Sequence, residues 1–169
     1  MGNLWCKRIA IVVAVFKHNG KIYVGCHFEK SLNPKRSNKI SLCGGHVENY
    51  ETLDQGAVRE AREEHGLLIN ERELTLVHEK KIGKKYYAYY TVNTTPFRYE
   101  DKYIETHNEI VNNGEFFSDI IAKFPDNSII STGAKSTFLI DIEVLRMNQY
   151  KKYIFEPTYN FLKNNFNVY

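Results

Sequence analysis

The sequence predicts a single α/β domain, and three observations predict it. A β-hairpin pattern runs from Lys7 to His27, a helix with its own start and stop signals runs from Thr52 to His65, and further strand-like segments follow. With 169 residues the chain has the size of one domain and can bury a core without disulfide or metal support. Hydrophobic residues at 43% and charged residues at 25% exclude disorder, collagen and coiled coil as whole-chain descriptions.

In chain order, the apolar run Ile9 to Phe16 reads as a strand that turns at His18-Asn19-Gly20 and resumes from Lys21 to His27. Asn-Gly between two such runs is a hairpin signal, because the glycine accepts a positive φ. A polar loop from Ser31 to Lys39 leads to a short apolar segment, Ile40 to Cys43, and then to Gly44-Gly45. The helix follows: Thr52 with Gln55 three residues on is a capping box, Leu53, Ala57, Val58 and Ala61 form its apolar side, and Gly66 suits a left-handed C-terminus. Strands are expected at Leu74 to Val77 and at Lys84 to Val92, where Tyr86, Tyr87, Tyr89 and Tyr90 are expected to pack rather than to stack on a base. Thr94 to Thr106 reads as a loop, Glu109 to Phe117 as a strand, and Ser118 to Phe124 as a short helix stopped by Pro125. Phe138 to Val144 fits a strand, but the longer run Lys135 to Tyr150 favours a helix, and Pro157 opens a last helix through about Asn165. No repeat or Pro/Gly/Ser linker divides the chain, so one domain over residues 1–169 is expected.

Cys6, Cys26 and Cys43 are odd in number and form no CxxC pair, which argues against a disulfide framework or a cysteine zinc site and for a reducing, intracellular compartment. The longest apolar run is far below the ~20 residues of a membrane span, so no membrane partner is expected. Cys6 occupies the place that an N-myristoylation signal gives to Ser or Thr, and the sequon Asn93-Thr94-Thr95 would need a secretory route. The six histidines show no ligand spacing, and only His46 abuts the glycine pair.

The chemistry concentrates around the helix. At 100° per residue, Glu60, Glu63 and Glu64 fall within a sector of about 100°, and like charges crowded on one face cost stability unless a cation neutralises them. All-oxygen ligation suits a hard ion, Mg²⁺ or alternatively Mn²⁺, which also bridges to substrate phosphates. Arg59 can pair with Glu63 four residues on, Gly44 and Gly45 can turn backbone groups toward the ion or substrate, and Gly56, one turn before Glu60, leaves room for close approach. Lys35 and Arg36, with Lys84 and Lys85, are candidate phosphate contacts, set against the plainer reading that exposed lysines keep a surface soluble.

The run GHVENYETLDQGAVREAREEHGL, Gly45 to Leu67, resembles the Nudix box, Gly-x5-Glu-x7-Arg-Glu-U-x-Glu-Glu-x-Gly-U with U apolar, and meets it at every fixed position. Cys43 stands where many members carry a proline. The resemblance implies an α/β/α sandwich around a mixed sheet, here with a C-terminal extension, and Mg²⁺-dependent hydrolysis of a nucleoside diphosphate linked to another moiety. It further implies Glu60 and Glu64 as main metal ligands, Glu63 as a further ligand or the base for the attacking water, Arg59 as a structural partner in the catalytic group, and Glu51 as a loop anchor. A downstream carboxylate is expected to join them; Glu109 is the candidate, with Glu100, Asp101 and Glu105 as rivals. A capped or triphosphorylated RNA 5′ end is the alternative substrate, and a binding module without turnover the second function class.

The net charge of +3 is too mild for a polybasic nucleic-acid binder, but its distribution is uneven. Residues 1–50 carry +6, 51–75 carry −4, 76–100 carry +3 and 101–125 carry −3. Acidic blocks hold the expected metal ligands, and basic blocks flank them where an anionic polyphosphate would lie.

Overall fold

The computed structural model describes residues 6–29, 38–100, 120–132 and 137–166. Strands β1 (Lys7–His18), β2 (Lys21–Phe28), β3 (Ile40–His46), β4 (Thr75–Ile82), β5 (Lys85–Asn93), β6 (Ile129–Ser131) and β7 (Thr137–Asp141) form one sheet in the order β4-β5-β1-β3-β2-β7-β6. Among the described strands only β1 and β5 run parallel, so the sheet is mixed as expected. The first two strands form the predicted hairpin, with Asn19 and Gly20 both at positive φ. Beyond it β1 leaves β2 and pairs with β3 instead, which places Ile11 opposite Gly44 and Ala10 opposite Gly45.

Strand alternation divides the core into two layers. Ala10, Val12 and Ala14 of β1 face helix α1 (Leu53–His65), packing with Ala57 and Ala61. Val13 and Val15 face the other way, into a cluster with Ile140 of β7 and with Phe161 and Leu162 of helix α3 (Glu156–Asn164). The C-terminal segment is therefore the second helical layer rather than an appendage, tied to β3 by the Phe155 amide donating to the Ile40 carbonyl at 2.9 Å. Both ends of α1 form as the sequence predicts: Thr52 and Gln55 exchange bonds of 2.9 and 3.1 Å, and Gly66 sits at φ 66°.

Three expectations are corrected. The run Lys135 to Tyr150 is not one helix: Thr137–Asp141 is a strand pairing with β2 and β6, and only Ile142–Leu145 (α2) turns helical, started by the Asp141 carboxylate accepting the Glu143 amide at 3.0 Å. Every residue of β7 is buried, so its apolar run lacks the alternation that separates a strand from a buried helix. The strand expected at Leu74 to Val77 continues to Ile82 as a sheet edge, where Lys80 and Lys81 give the exposed, charged character that discourages pairing with another chain. Gly56 does not leave open space: a Cβ there would meet Val47 Cγ2 at 2.7 Å, so the glycine serves close packing of α1 against the segment after β3. The expected strand Glu109 to Phe117 lies outside the described residues. All three cysteines are free, and no described helix is long and apolar enough to cross a membrane.

Candidate active site

The site forms where α1 crosses the glycines of β3. Arg59 is its organiser. Its Nε and Nη2 donate to both oxygens of Glu51 at 2.8 and 2.9 Å, its Nη1 to Glu60 and Glu63 at 3.0 Å each, and its Nη2 also to the His46 carbonyl at 3.0 Å. A planar fork of donors suits this task, because one guanidinium can bind several oxygens in fixed directions. Glu51 is 8% exposed, accepts the Glu48 amide at 2.9 Å, and is held below the usual carboxylate range by Arg59. Arg59 thus ties Glu51, Glu60, Glu63 and the His46 carbonyl to one guanidinium.

Glu60 and Glu64 point toward β3. The Glu60 carboxylate lies where a side chain on Gly45 would be, with its atoms 2.5 to 2.6 Å from an ideal Cβ at that position. Glu64 accepts the Gly44 amide at 3.1 Å. Burial raises both acids, Glu64 to about 7 despite the opposing pull of His27 and the Gly44 amide, and Glu60 against the pull of Arg59. Glu63 differs: it is 61% exposed and touches only Arg59 among its described partners. The three carboxylates thus share a helix sector, but two are turned to the sheet and one to solvent.

Glu64 opens on a groove of about 530 Å³, on the face of the sheet opposite α1's packing layer, that also meets Gly45, Tyr87, Tyr89, Lys85 and Phe155. Tyr89 stacks on Phe161 at 4.0 Å and Tyr90 is buried in the α1 layer, so these two pack as expected, whereas Tyr87 is only half-buried and stands in the groove wall beside Lys80. The candidate substrate contacts Lys35 and Arg36, and the candidate catalytic Glu109 with its rivals Asp101 and Glu105, lie outside the described residues. Glu100, the remaining rival, pairs with Arg62 at 3.1 Å.

A divalent cation fits this arrangement. Two carboxylates whose burial disfavours their charge converge on side-chain-free backbone, in a cradle that a Cβ at Gly45 would fill, and the donors are the hard oxygens such an ion takes.

One cluster is absent from the sequence reading. His27 Nδ1 lies 2.7 Å from His65 Nε2, while His27 Nε2 faces Glu29 at 3.3 Å and Glu64 at 3.6 Å. His65 is buried, its basicity lowered first by burial and then by His27. The two histidines are 38 positions apart and meet only through the placement of β2 beside β3 under the end of α1. The legible signal was the i, i+2 pair His27 and Glu29, which an extended chain puts on one side.

Comparison with known proteins agrees with the geometry. No curated protein sequence matches the chain significantly. Among solved structures, the Trypanosoma brucei MERS1–RNA complex superposes at a TM-score of 0.58 with 12% identity, covering 87% of this chain and 54% of that one. A mutT/nudix family protein from Listeria innocua superposes at 0.51 with 15% identity, covering 93% and 89%. A MutT/nudix family protein from Enterococcus faecalis, at 0.48 and 19% identity, is longer, and the match spans 36% of it and 52% of this chain. At their identities the first two likenesses are of fold alone. The family model of the NUDIX domain matches residues 7–119, two thirds of the chain and the whole of α1 with its glycine loop, and the chain therefore belongs to the NUDIX family.

Proposed function

We propose that the chain is a divalent-metal-dependent hydrolase that cleaves a phosphoanhydride bond in a nucleoside diphosphate derivative. The observation that carries this reading is the convergence of Glu60 and Glu64 on the Gly44-Gly45 backbone, where Glu64 and both glycines line a groove that also holds Lys80 and Lys85. Glu60 and Glu64 are the residues to hold Mg²⁺, or Mn²⁺ in its place, with Glu63 as a further ligand or base. A bound divalent ion would supply charge to offset that developing on phosphoryl oxygens, and would acidify a bound water. Arg59 fixes the rotamers of Glu60 and Glu63 through its two Nη1 bonds, so neither carboxylate has to be ordered when substrate arrives. Glu63, exposed and with one described partner, is free to take a proton from water, while Lys80 and Lys85 attract the polyphosphate and Tyr87 offers its ring to whatever the phosphates carry. Gly44, Gly45, Lys35 and Arg36 complete the proposed substrate contacts, and Glu109 the catalytic carboxylates. The test is incubation with Mg²⁺ and ADP-ribose, dNTPs, dinucleoside polyphosphates and capped RNA. Turnover of one of them, lost in Glu63→Gln, is expected; no turnover of any overturns the reading.

An RNA 5′ end is the second substrate reading, favoured by the lysines of the groove and consistent with MERS1 having been solved with both RNA and GDP. Phosphate contacts predict binding that weakens steeply with salt, by a log–log slope of about −0.7 for each single-strand phosphate neutralised. RNA affinity unchanged between low and high salt would remove that support.

A further inference from the structure

We propose that His27, Glu29 and Glu64 form a binding site for a transition-metal dication of the Zn²⁺ class, with His27 coordinating through Nε2. The site adjoins Glu60 and Glu64, the residues proposed above to hold Mg²⁺, and shares only Glu64 with them.

Geometry supports it first. His27 Nε2 lies 3.3 Å from a Glu29 oxygen and 3.6 Å from a Glu64 oxygen. Ligands at 2.0–2.1 Å from a tetrahedral ion stand about 3.3–3.4 Å apart, so His27 Nε2 already lies near ligand spacing from each carboxylate. The His27 side chain is 11% exposed, and its ring meets that of His65 edge-on at 75° with centroids 4.8 Å apart, which restricts its rotation.

The neighbouring ring accommodates the tautomer this site requires. To offer an Nε2 lone pair, His27 must carry its proton on Nδ1, and His65 Nε2 at 2.7 Å is placed to accept it. Ligating histidines are regularly oriented through the other ring nitrogen in this way. The chemistry then separates this site from the neighbouring one: an imidazole nitrogen with two carboxylates suits Zn²⁺ better than Mg²⁺ or Mn²⁺, which prefer oxygen. Sharing Glu64 links the two sites, so an ion held by His27 competes for a carboxylate that the hydrolase reading also uses.

The test uses the full chain, ¹⁵N-labelled, with Zn²⁺ alone and Mg²⁺ as the parallel titration. Zn²⁺ is expected to move the His27 Nε2 resonance with saturable, one-site behaviour, while the same concentration of Mg²⁺ leaves it in place. His27→Gln is expected to weaken Zn²⁺ binding by calorimetry at least ~10-fold. Unmoved His27 nitrogens, or equal Zn²⁺ affinity in a folded His27→Gln variant, overturn the proposal; if that variant does not fold, the wild-type resonances decide alone. Mg²⁺-supported hydrolysis on the same sample separates the two readings. Turnover without Zn²⁺ at His27 removes this proposal only, and Zn²⁺ at His27 without turnover removes the hydrolase reading only.

Discussion

Gly45→Ala should leave the fold nearly intact and abolish most of the activity, whereas Gly44→Ala next to it should destabilise the fold itself. An ideal Cβ on Gly45 would stand 2.5 Å from Glu60 Cδ and 2.6 Å from each carboxylate oxygen, where ordinary contact begins at 3.4 Å. The carboxylate must therefore withdraw by about an ångström, and since it is the end of a flexible side chain, the backbone can stay in place. Withdrawal breaks the 3.0 Å bond to Arg59, which in this partly exposed setting is worth about 1 kcal/mol or less. A misplacement of about 1 Å in a positioned group costs roughly 100-fold in rate, or about 2.7 kcal/mol of barrier. At Gly44 the added methyl would meet the Ala10 carbonyl oxygen and Ile11 Cγ1, each at 2.9 Å, and Ile11 Cα at 3.2 Å. The carbonyl and the Cα belong to the backbone of the paired strand and cannot step aside, so overpacking should cost ~1–3 kcal/mol of stability. Urea denaturation measures the fold, and substrate hydrolysis with Mn²⁺ binding by electron paramagnetic resonance measures the site. A Gly45→Ala protein that binds Mn²⁺ and turns over substrate within a few-fold of wild type would refute the placement of Glu60 in the metal site.

Arg59→Ala strands the Glu51 carboxylate, 8% exposed, without its cation and should cost about 2–4 kcal/mol in urea denaturation. Arg59→Lys should recover only part of this, since one ammonium cannot replace the fork. Glu73 is held at about 2, against an ordinary 4.5, by the paired bonds from Arg98 at 2.5 and 2.7 Å. Because its folded value is depressed, the pair stabilises fully above pH ~4.5 and its contribution fades as pH falls toward 2. The shift alone would correspond to about 3 kcal/mol, but with roughly a third of both side chains in solvent we expect about 1 kcal/mol. The stability gap between wild type and Glu73→Gln should accordingly shrink to roughly half or less between pH 7 and pH 3; a constant gap refutes the linkage. Gly66→Ala forces a side chain into φ 66° and should cost about 1 kcal/mol by thermal unfolding. Leu162→Ala, at a fully buried position of α3, should cost ~2–5 kcal/mol if that helix is a layer of the core.

What could be read from the sequence was what one element determines by itself. Thr52, Gln55 and Gly66 settle the ends of α1 by bonds and angles local to those residues, and helical spacing puts Arg59 within reach of Glu63. Spacing says which residues share a sector, however, and not what the sector meets. Glu60 and Glu64 differ from Glu63 because β3 passes beside α1 with two glycines, and Gly56 is filled by Val47 rather than left open for the same reason. Strand β7 eluded the periodicity argument because both of its faces are covered. The contact between His27 and His65 lies further still from any local pattern. It depends on the pairing of β2 with β3, Cys26 opposite Leu42, and on where α1 stops. A helix that ended one turn earlier would keep Arg59 and Glu60 but lose both Glu64 and His65. The capping glycine that looked like simple punctuation therefore also determines whether an oxygen-only site acquires a nitrogen neighbour.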